Sequence, residues 1–168
     1  MISYRPGTAE DADLMSALGA RTFTETFGHL YTPDNLAAFL VNHAPDRWRA
    51  ELADPAFAVR IAQDEGEAAG FAKLGPPSLP FEVSGPTAEL RQLYVLGPWH
   101  GRGISHALMD WAMAEARRRG AEQMFLSVFV DNHRARRFYA RYGFEEVGNY
   151  HFMVGSHADE DLILRLQL

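Results

Sequence analysis

The sequence predicts an α/β sandwich around a largely antiparallel sheet with one parallel stretch. Three observations lead there. Helical patterns crowd into the first third of the chain, a mixed run of strands follows, and two helical crossovers interrupt that run. With 168 residues, 47% of them apolar and 23% charged, the chain has the size and composition of one globular domain, residues 1–168.

Ile2-Ser3-Tyr4-Arg5 reads as a short opening strand, ended by Pro6-Gly7. Thr8, with Asp11 three residues on, resembles a capping box, and a helical pattern runs from there towards Phe27. Thr32-Pro33-Asp34 is a second helix start, with proline at the first helical position, leading to Leu36, Phe39 and Leu40. Asp46–Ala53 predicts another short helix, closed by Asp54-Pro55. Phe57–Gln63 and Ala69–Leu74 alternate and are joined by Asp64-Glu65-Gly66-Glu67, a hairpin signal. The proline-rich stretch Gly75–Pro86 is a loop of the kind that edges binding sites. Glu89–Val95 predicts a strand, Gly103–Arg119 a helix, Gln123–Val130 a strand, and Asn132–Tyr142 a helix stopped by Gly143. Phe144–Tyr150 and Asp161–Leu168 close the chain as strands.

Several function classes drop out on composition. The chain has no cysteine, so disulfides, thiolate nucleophiles and cysteine-based zinc sites are excluded. Its seven histidines show no HExxH pairing, and no metal is expected. The formal net charge of −6 disfavours a nucleic-acid partner and is compatible with a cationic small molecule. The opening residues lack the basic and apolar regions of a signal peptide, and no apolar run approaches a membrane span, so a cytoplasmic protein without a membrane partner is expected.

The chemistry concentrates in two places. His100-Gly101-Arg102-Gly103-Ile104-Ser105 follows a strand and opens a helix whose Ile104, Ala107, Leu108, Trp111 and Ala112 recur at helical spacing. Two glycines at a helix start leave amides unpaired, and those amides with the positive end of the helix dipole suit a diphosphate. The same glycines also suit a plain strand-to-helix connection. The segment is neither a GxGxxG fingerprint, since His106 occupies the third glycine position, nor a P-loop. Farther on, Asn132, Ala135 and Tyr139 share a helix face. Asn132 sits where an N-cap would, and Phe138 reads as core. The phenol of Tyr139, a weak acid, could protonate a thiolate leaving group.

Leu90–Ser105 followed by Asn132-x-x-Ala135-x-x-Phe138-Tyr139-x-x-Tyr142-Gly143-Phe144 resembles the GCN5-related N-acetyltransferase (GNAT) superfamily. There the first segment is the acetyl-CoA turn, written Q/R-x-x-G-x-G/A, and the second is the Asn-to-Tyr helix. His100 stands where Gln or Arg is usual, and Ser105 where Gly or Ala is usual. A narrower resemblance, to bacterial PaiA-type spermidine/spermine N-acetyltransferases, rests on Thr22–Phe27, Thr32–Leu36, Glu89-x-x-x-x-Tyr94-Val95, Phe152-x-x-Gly155 and Asp161-Leu162-Ile163.

The resemblance implies a single N-acetyltransferase domain with a mixed, mostly antiparallel sheet of about seven strands and about four to five flanking helices. It implies acetyl-CoA as cosubstrate and transfer to a primary amine of a small molecule, a polyamine in the narrower branch, by direct attack in a ternary complex. The backbone at Tyr94 and Val95 would bind pantetheine and polarise the thioester carbonyl. His100, Gly101, Arg102, Gly103, Ile104, Ser105 and His106 would hold the pyrophosphate, Asn132 and Ala135 would contact the cofactor, and Tyr139 would be the general acid. Glu89, five residues before Tyr94, is the candidate general base or else a strand-end carboxylate. An acidic acceptor pocket would draw on Glu25, Asp34, Glu82 or Glu89. The cluster Arg134, Arg136, Arg137 and Arg141 is a solvated helix face or a contact for the CoA 3′-phosphate. Dimerisation is common in the superfamily, and a homodimer would use the tail after Tyr150. Two rival readings remain: a non-catalytic acetyl-CoA-binding regulator, and an enzyme of the same superfamily acting on a protein or peptide amine, an amino acid or an antibiotic.

Overall fold

The computed structural model describes residues Met1–Leu168. The elements run β1 (Ile2–Pro6), α1 (Ala12–Phe27), α2 (Pro33–Leu40), α3 (Pro45–Ala53), β2 (Ala58–Asp64), β3 (Glu67–Gly75), β4 (Thr87–Val95), α4 (Ile104–Arg118), β5 (Gln123–Phe129), α5 (His133–Arg141), β6 (Glu145–Val154) and β7 (His157–Gln167). Local chemistry accounts for the starts. The Asp11 carboxylate accepts from the Thr8 N–H at 2.9 Å and clamps Arg5 with two bonds of 2.8 Å, tying α1 to β1. The Thr32 hydroxyl accepts from the Asn35 N–H at 3.2 Å and caps α2. The β2–β3 turn places both Glu65 and Gly66 in the left-handed region that a two-residue hairpin requires.

The closing hairpin differs from the expectation. β6 reaches Val154 and β7 starts at His157, so the two strands run past the expected limits at Tyr150 and Asp161. Pairing from Tyr150↔Asp161 to Val154↔His157 supplies the order that local propensity does not.

One seven-stranded sheet results, in the order β1-β2-β3-β4-β5-β7-β6. Every neighbour pair is antiparallel except β4 with β5. The parallel ladder is short: Thr87↔Gln123, Ala88↔Met124 and Glu89↔Phe125. Beyond it β4 stays paired to β3 as far as Gly70↔Val95, while β5 stays paired to β7 as far as Phe129↔Asp161. The two central strands therefore part after Glu89. The register explains the parting. Lys73 faces Gln92 but Leu74 faces Leu90, so Arg91 is an extra residue on β4, a bulge that bends the strand.

Both faces of the sheet are covered, as the consecutive buried residues Phe71 and Ala72 of β3 require. On one side Phe71 meets Trp48 of α3, ring centroids 5.6 Å apart. On the other, α4 buries Ile104, Leu108, Met109, Ala112 and Ala116. No helix is long and apolar enough to cross a membrane.

His43 is the polar centre of the α1–α3 contact. It is 2% exposed, and its Nδ1 accepts from the Trp48 indole N–H at 3.2 Å. It fits only because position 19 is glycine; a Cβ there would lie 2.3 Å from His43 Nδ1. Burial lowers the His43 imidazole from 6.5 to about 4. The unfolded chain therefore takes up a proton that the folded chain refuses, and stability falls as pH drops from about 6.5 towards about 4. Urea unfolding at pH 7.5 and pH 4.5 should show a loss on the order of 2–3 kcal/mol from this group, and His43→Asn should remove that part of the pH dependence.

Candidate active site

The site begins where β4 and β5 separate. Past Glu89 and Phe125 the facing edges of the two strands have no partner in each other, leaving main-chain groups directed into a wedge. The turn from Leu96 to Gly103 closes one end of it. Gly101 and Gly103 have φ of 77° and 80°, and a Cβ at either would meet nothing within 4 Å. Glycine is needed there for conformation, and the space in front of it is open. The first main-chain bond of α4 runs from the Ala107 N–H to the Gly103 carbonyl, so the amides before it point outwards unpaired. A concave row of amides at the positive end of a fifteen-residue helix fits a diphosphate.

The side chains of this turn are engaged elsewhere. Arg102 donates to Asp64 at 2.8 Å, and the same carboxyl takes the Trp99 indole N–H at 3.0 Å and the N-terminal amine at 3.1 Å. Hydrogen bonds from Trp99 first, then Arg102, hold Asp64 well below the ordinary carboxylate range. His100 Nδ1 lies 2.9 Å from Arg134, and its Nε2 lies 2.7 Å from the Val95 carbonyl. Since the guanidinium only donates, Nδ1 accepts, and Nε2 donates to Val95. The imidazole thus links the tip of β4 to α5. His106 Nδ1 lies 3.0 Å from the Tyr142 hydroxyl, and its ring packs on Phe138 at 5.1 Å. Ile104 is buried beneath the turn.

α5 brings its residues to the same end. Asn132 is the N-cap: its Oδ1 accepts from the Ala135 N–H at 3.3 Å, which leaves the side-chain amide N–H groups free. Tyr139 is buried, and burial, then the neighbouring Tyr94 phenol, raises its pKa above the ordinary phenol value. It stays protonated at neutral pH. Phe138 packs between His106 and Tyr142, as a core reading requires. The arginine cluster is divided: Arg134 holds His100, Arg136 donates to the Val130 carbonyl at 2.9 Å, and Arg137 lines an open groove of about 350 Å³ along α5, β6 and β7.

Glu89 lies at the closed end of the wedge, 4% exposed. Its Oε1 accepts from the Ser78 N–H at 2.8 Å and the Leu79 N–H at 3.1 Å; its Oε2 accepts from the Ser78 hydroxyl at 2.9 Å and pairs with Arg91 Nε at 2.8 Å. Three donors and one cation surround one carboxylate, the geometry of a brace for the loop after β3. Glu25, Asp34 and Glu82, expected to share an acidic pocket with it, face solvent instead; Glu25 accepts from the Gly97 N–H beside the cofactor turn.

Sequence reasoning missed a second group. Phe27, the last residue of α1, lies edge-on to both Tyr94 of β4 and Phe129 of β5, at 6.5 and 6.3 Å, and so bridges the arms of the wedge. Next to it, β7 carries two buried acids, Asp159 and Asp161. Asp159 accepts from the Tyr31 hydroxyl and lies 3.0 Å from His157 Nε2. Asp161 sits opposite Phe129 and Tyr150 in register, and the Tyr150 hydroxyl donates to Ser127 at 3.1 Å. The available signal was an alternating pair of acids running into the apolar Leu162-Ile163-Leu164. No group of three or more His, Cys, Asp or Glu side chains is placed to hold a metal ion.

Known proteins share this fold and sequence pattern. A sequence model described as the acetyltransferase (GNAT) family matches residues 21–144. A Mycobacterium tuberculosis protein, described as an uncharacterised N-acetyltransferase, is 34% identical over 159 residues, covering 94% of this chain and 98% of that one. An aminoalkylphosphonate N-acetyltransferase of Salmonella typhimurium is 35% identical over 103 residues, 60% of this chain and 65% of that one. Among solved structures, the PaiA N-acetyltransferase of Thermoplasma acidophilum in complex with coenzyme A superimposes with a TM-score of 0.80 at 18% identity, covering 100% of this chain and 99% of that one.

Two substitutions separate cradle from brace. Gly103→Val imposes left-handed strain of about 1–2 kcal/mol and puts a side chain in the open cradle; calorimetry should show coenzyme A affinity reduced at least about tenfold, the cost of roughly one lost charge-assisted hydrogen bond. Glu89→Ala leaves the Ser78 and Leu79 amides without their acceptor and Arg91 without its carboxylate partner, and urea unfolding should register a loss of about 2–4 kcal/mol.

Proposed function

Because the chain belongs to the acetyltransferase (GNAT) family, and is an acetyl-CoA-dependent N-acetyltransferase, we propose that it transfers the acetyl group to a primary amine of a small cationic molecule, with a polyamine as the substrate class. The observation that carries this reading is the wedge itself: unpaired β4 and β5 edges open beside the amide cradle on one side and buried carboxylates on the other. A thioester laid along β4 would place its phosphates at the cradle and its acetyl group near the aromatic and acidic wall.

In this reading the amides of Gly101–His106 hold the pyrophosphate and the main chain at Tyr94 and Val95 orients the pantetheine arm and polarises the carbonyl. Asn132 offers its free amide N–H groups, beside Ala135. Tyr139, kept protonated by burial, gives its proton to the departing thiolate. The chain has no cysteine to carry the acetyl group, which supports direct attack by the amine in a ternary complex. Glu89, with its oxygens occupied, braces the loop after β3 instead of taking the amine proton. Residues 1–168 act as one N-acetyltransferase domain. The name of the Salmonella relative offers an aminoalkylphosphonate as a second acceptor; the two buried acids favour an acceptor without a negative charge.

Thiol release from acetyl-CoA should be stimulated most by spermidine or spermine in a panel that includes aminoalkylphosphonates, amino acids, aminoglycosides and peptides. Stimulation by none of them would point to the non-catalytic regulator. Tyr139→Phe should lower kcat by about 10²-fold with little change in acetyl-CoA affinity, the pattern of a lost proton donor.

A further inference from the structure

Each buried acid on this side of the sheet has donors of its own, with one exception. Glu89 has Arg91, Ser78 and Leu79; Asp159 has Tyr31 and His157; the partly buried Glu51 has Lys73 at 2.6 Å. Asp161, 7% exposed, has no ion pair and no backbone amide. The one polar group that eases its charge is the Ser127 hydroxyl, which also accepts from Tyr150. A buried carboxylate in this condition lacks a cation.

Its surroundings say what kind. Asp161 faces Phe129, the tip of one arm of the wedge, and shares that sheet face with Ser127 and Tyr150. Phe27 spans from Phe129 to Tyr94 on the other arm. The titratable groups around it are Asp159, two residues earlier on the same face, the Tyr94 and Tyr150 phenols, and, through Asp159, Tyr31 and His157. None of these is a lysine or arginine. Negative charge beside aromatic rings is the recognition chemistry of an alkylammonium.

We propose that Asp161 seats the acceptor as an ammonium ion in the wedge and takes its proton, a role that rests on the amine-acetylating reading above. Proton transfer from R–NH3⁺ to the carboxylate leaves R–NH2 with a free electron pair. That pair forms the C–N bond at the thioester carbonyl as the C–S bond breaks. Tyr139 protonates the sulfur, and the second proton leaving nitrogen restores the phenol through water. The net products are the amide, the free thiol and one proton, which Asp161 passes to solvent. Burial first, and then the charge of Asp159, pushes Asp161 up to about 7, where it can both bind and release a proton near neutrality. Asp159 supplies a second carboxylate nearby, which favours an acceptor with more than one ammonium group and disfavours an anionic one.

The test is the pH profile of kcat/KM for a polyamine, measured by thiol release. Wild-type activity should rise with pH through about 7 as Asp161 ionises. Asp161→Asn should lose that limb and at least about 100-fold in kcat/KM at pH 7.5, with acetyl-CoA affinity unchanged; Asp161→Glu should recover part of the rate with a displaced limb. A second readout is thermal unfolding. A raised carboxyl stabilises the fold while protonated, and that contribution is lost as pH rises through about 7. Asp161→Asn should therefore melt higher than wild type at pH 8, the opposite of losing a structural anchor. If the variant does not fold, the carboxyl carbon signal of Asp161 in the wild-type protein should titrate near pH 7 and shift when spermidine is added. An unchanged pH limb and rate in Asp161→Asn, or a carboxyl signal indifferent to spermidine, overturns the proposal while leaving the acetyltransferase intact. A wild-type protein whose thiol release answers to no amine overturns both.

Discussion

One extra residue in β4 governs the rest of the molecule. Arg91 has no counterpart on β3, and the bend it introduces carries β4 away from β5 after three residue pairs of parallel ladder. In a regular sheet the main-chain groups of residues beyond Glu89 would be consumed by the neighbouring strand. Here they stay available, and the gap they line lies between the cofactor turn and β7. The bulge is held from two directions: Arg91 pairs with Glu89 and donates to the Pro76 carbonyl, so the ion pair that braces the loop also fixes the residue that opens the sheet. Loop, bulge and wedge form one mechanical unit.

The two sides of the wedge carry charge by opposite means. The turn side presents main-chain N–H groups and a helix terminus in a chain of net charge −6. Partial charges suffice there because they are fixed in place before anything binds. The β7 side presents two carboxyl groups, Asp159 and Asp161, that the fold has taken out of water. Keeping Asp161 buried without a partner opposes folding, and the surrounding β5, β6 and β7 pairing is what makes it tolerable.

Much of this was legible in the residues. Pro33 after Thr32, the Glu65-Gly66 turn and the apolar periodicity of α4 are local signals, and each element formed where it was expected to within a few residues. The amide cradle was legible for the same reason, since glycine before a helix start is a local statement about backbone angles. The splay was not, because it depends on register between β3 and β4. Nor was the fate of Glu89: whether a strand-end carboxylate faces water or gathers three donors and a cation is decided by how the loop at Ser78 folds back. Asp161 stood at the start of an expected strand; only pairing with β5 and β6 extends that strand back over Asp159 and turns both acids inwards.

The Leu96–Gly103 turn faces the wedge with its backbone, and its side chains serve the fold: Arg102 on Asp64, His100 between Val95 and Arg134. Such a site gives natural selection little purchase. His100 and Ser105 depart from the Gln or Arg and the Gly or Ala of the resembled pattern, and neither change removes a main-chain N–H from the turn. On the opposite side of the wedge a single side chain can redefine what is admitted. The architecture thereby keeps two kinds of surface apart: one side of the wedge depends on backbone geometry, which most substitutions leave in place, and the other on the identity of a few side chains.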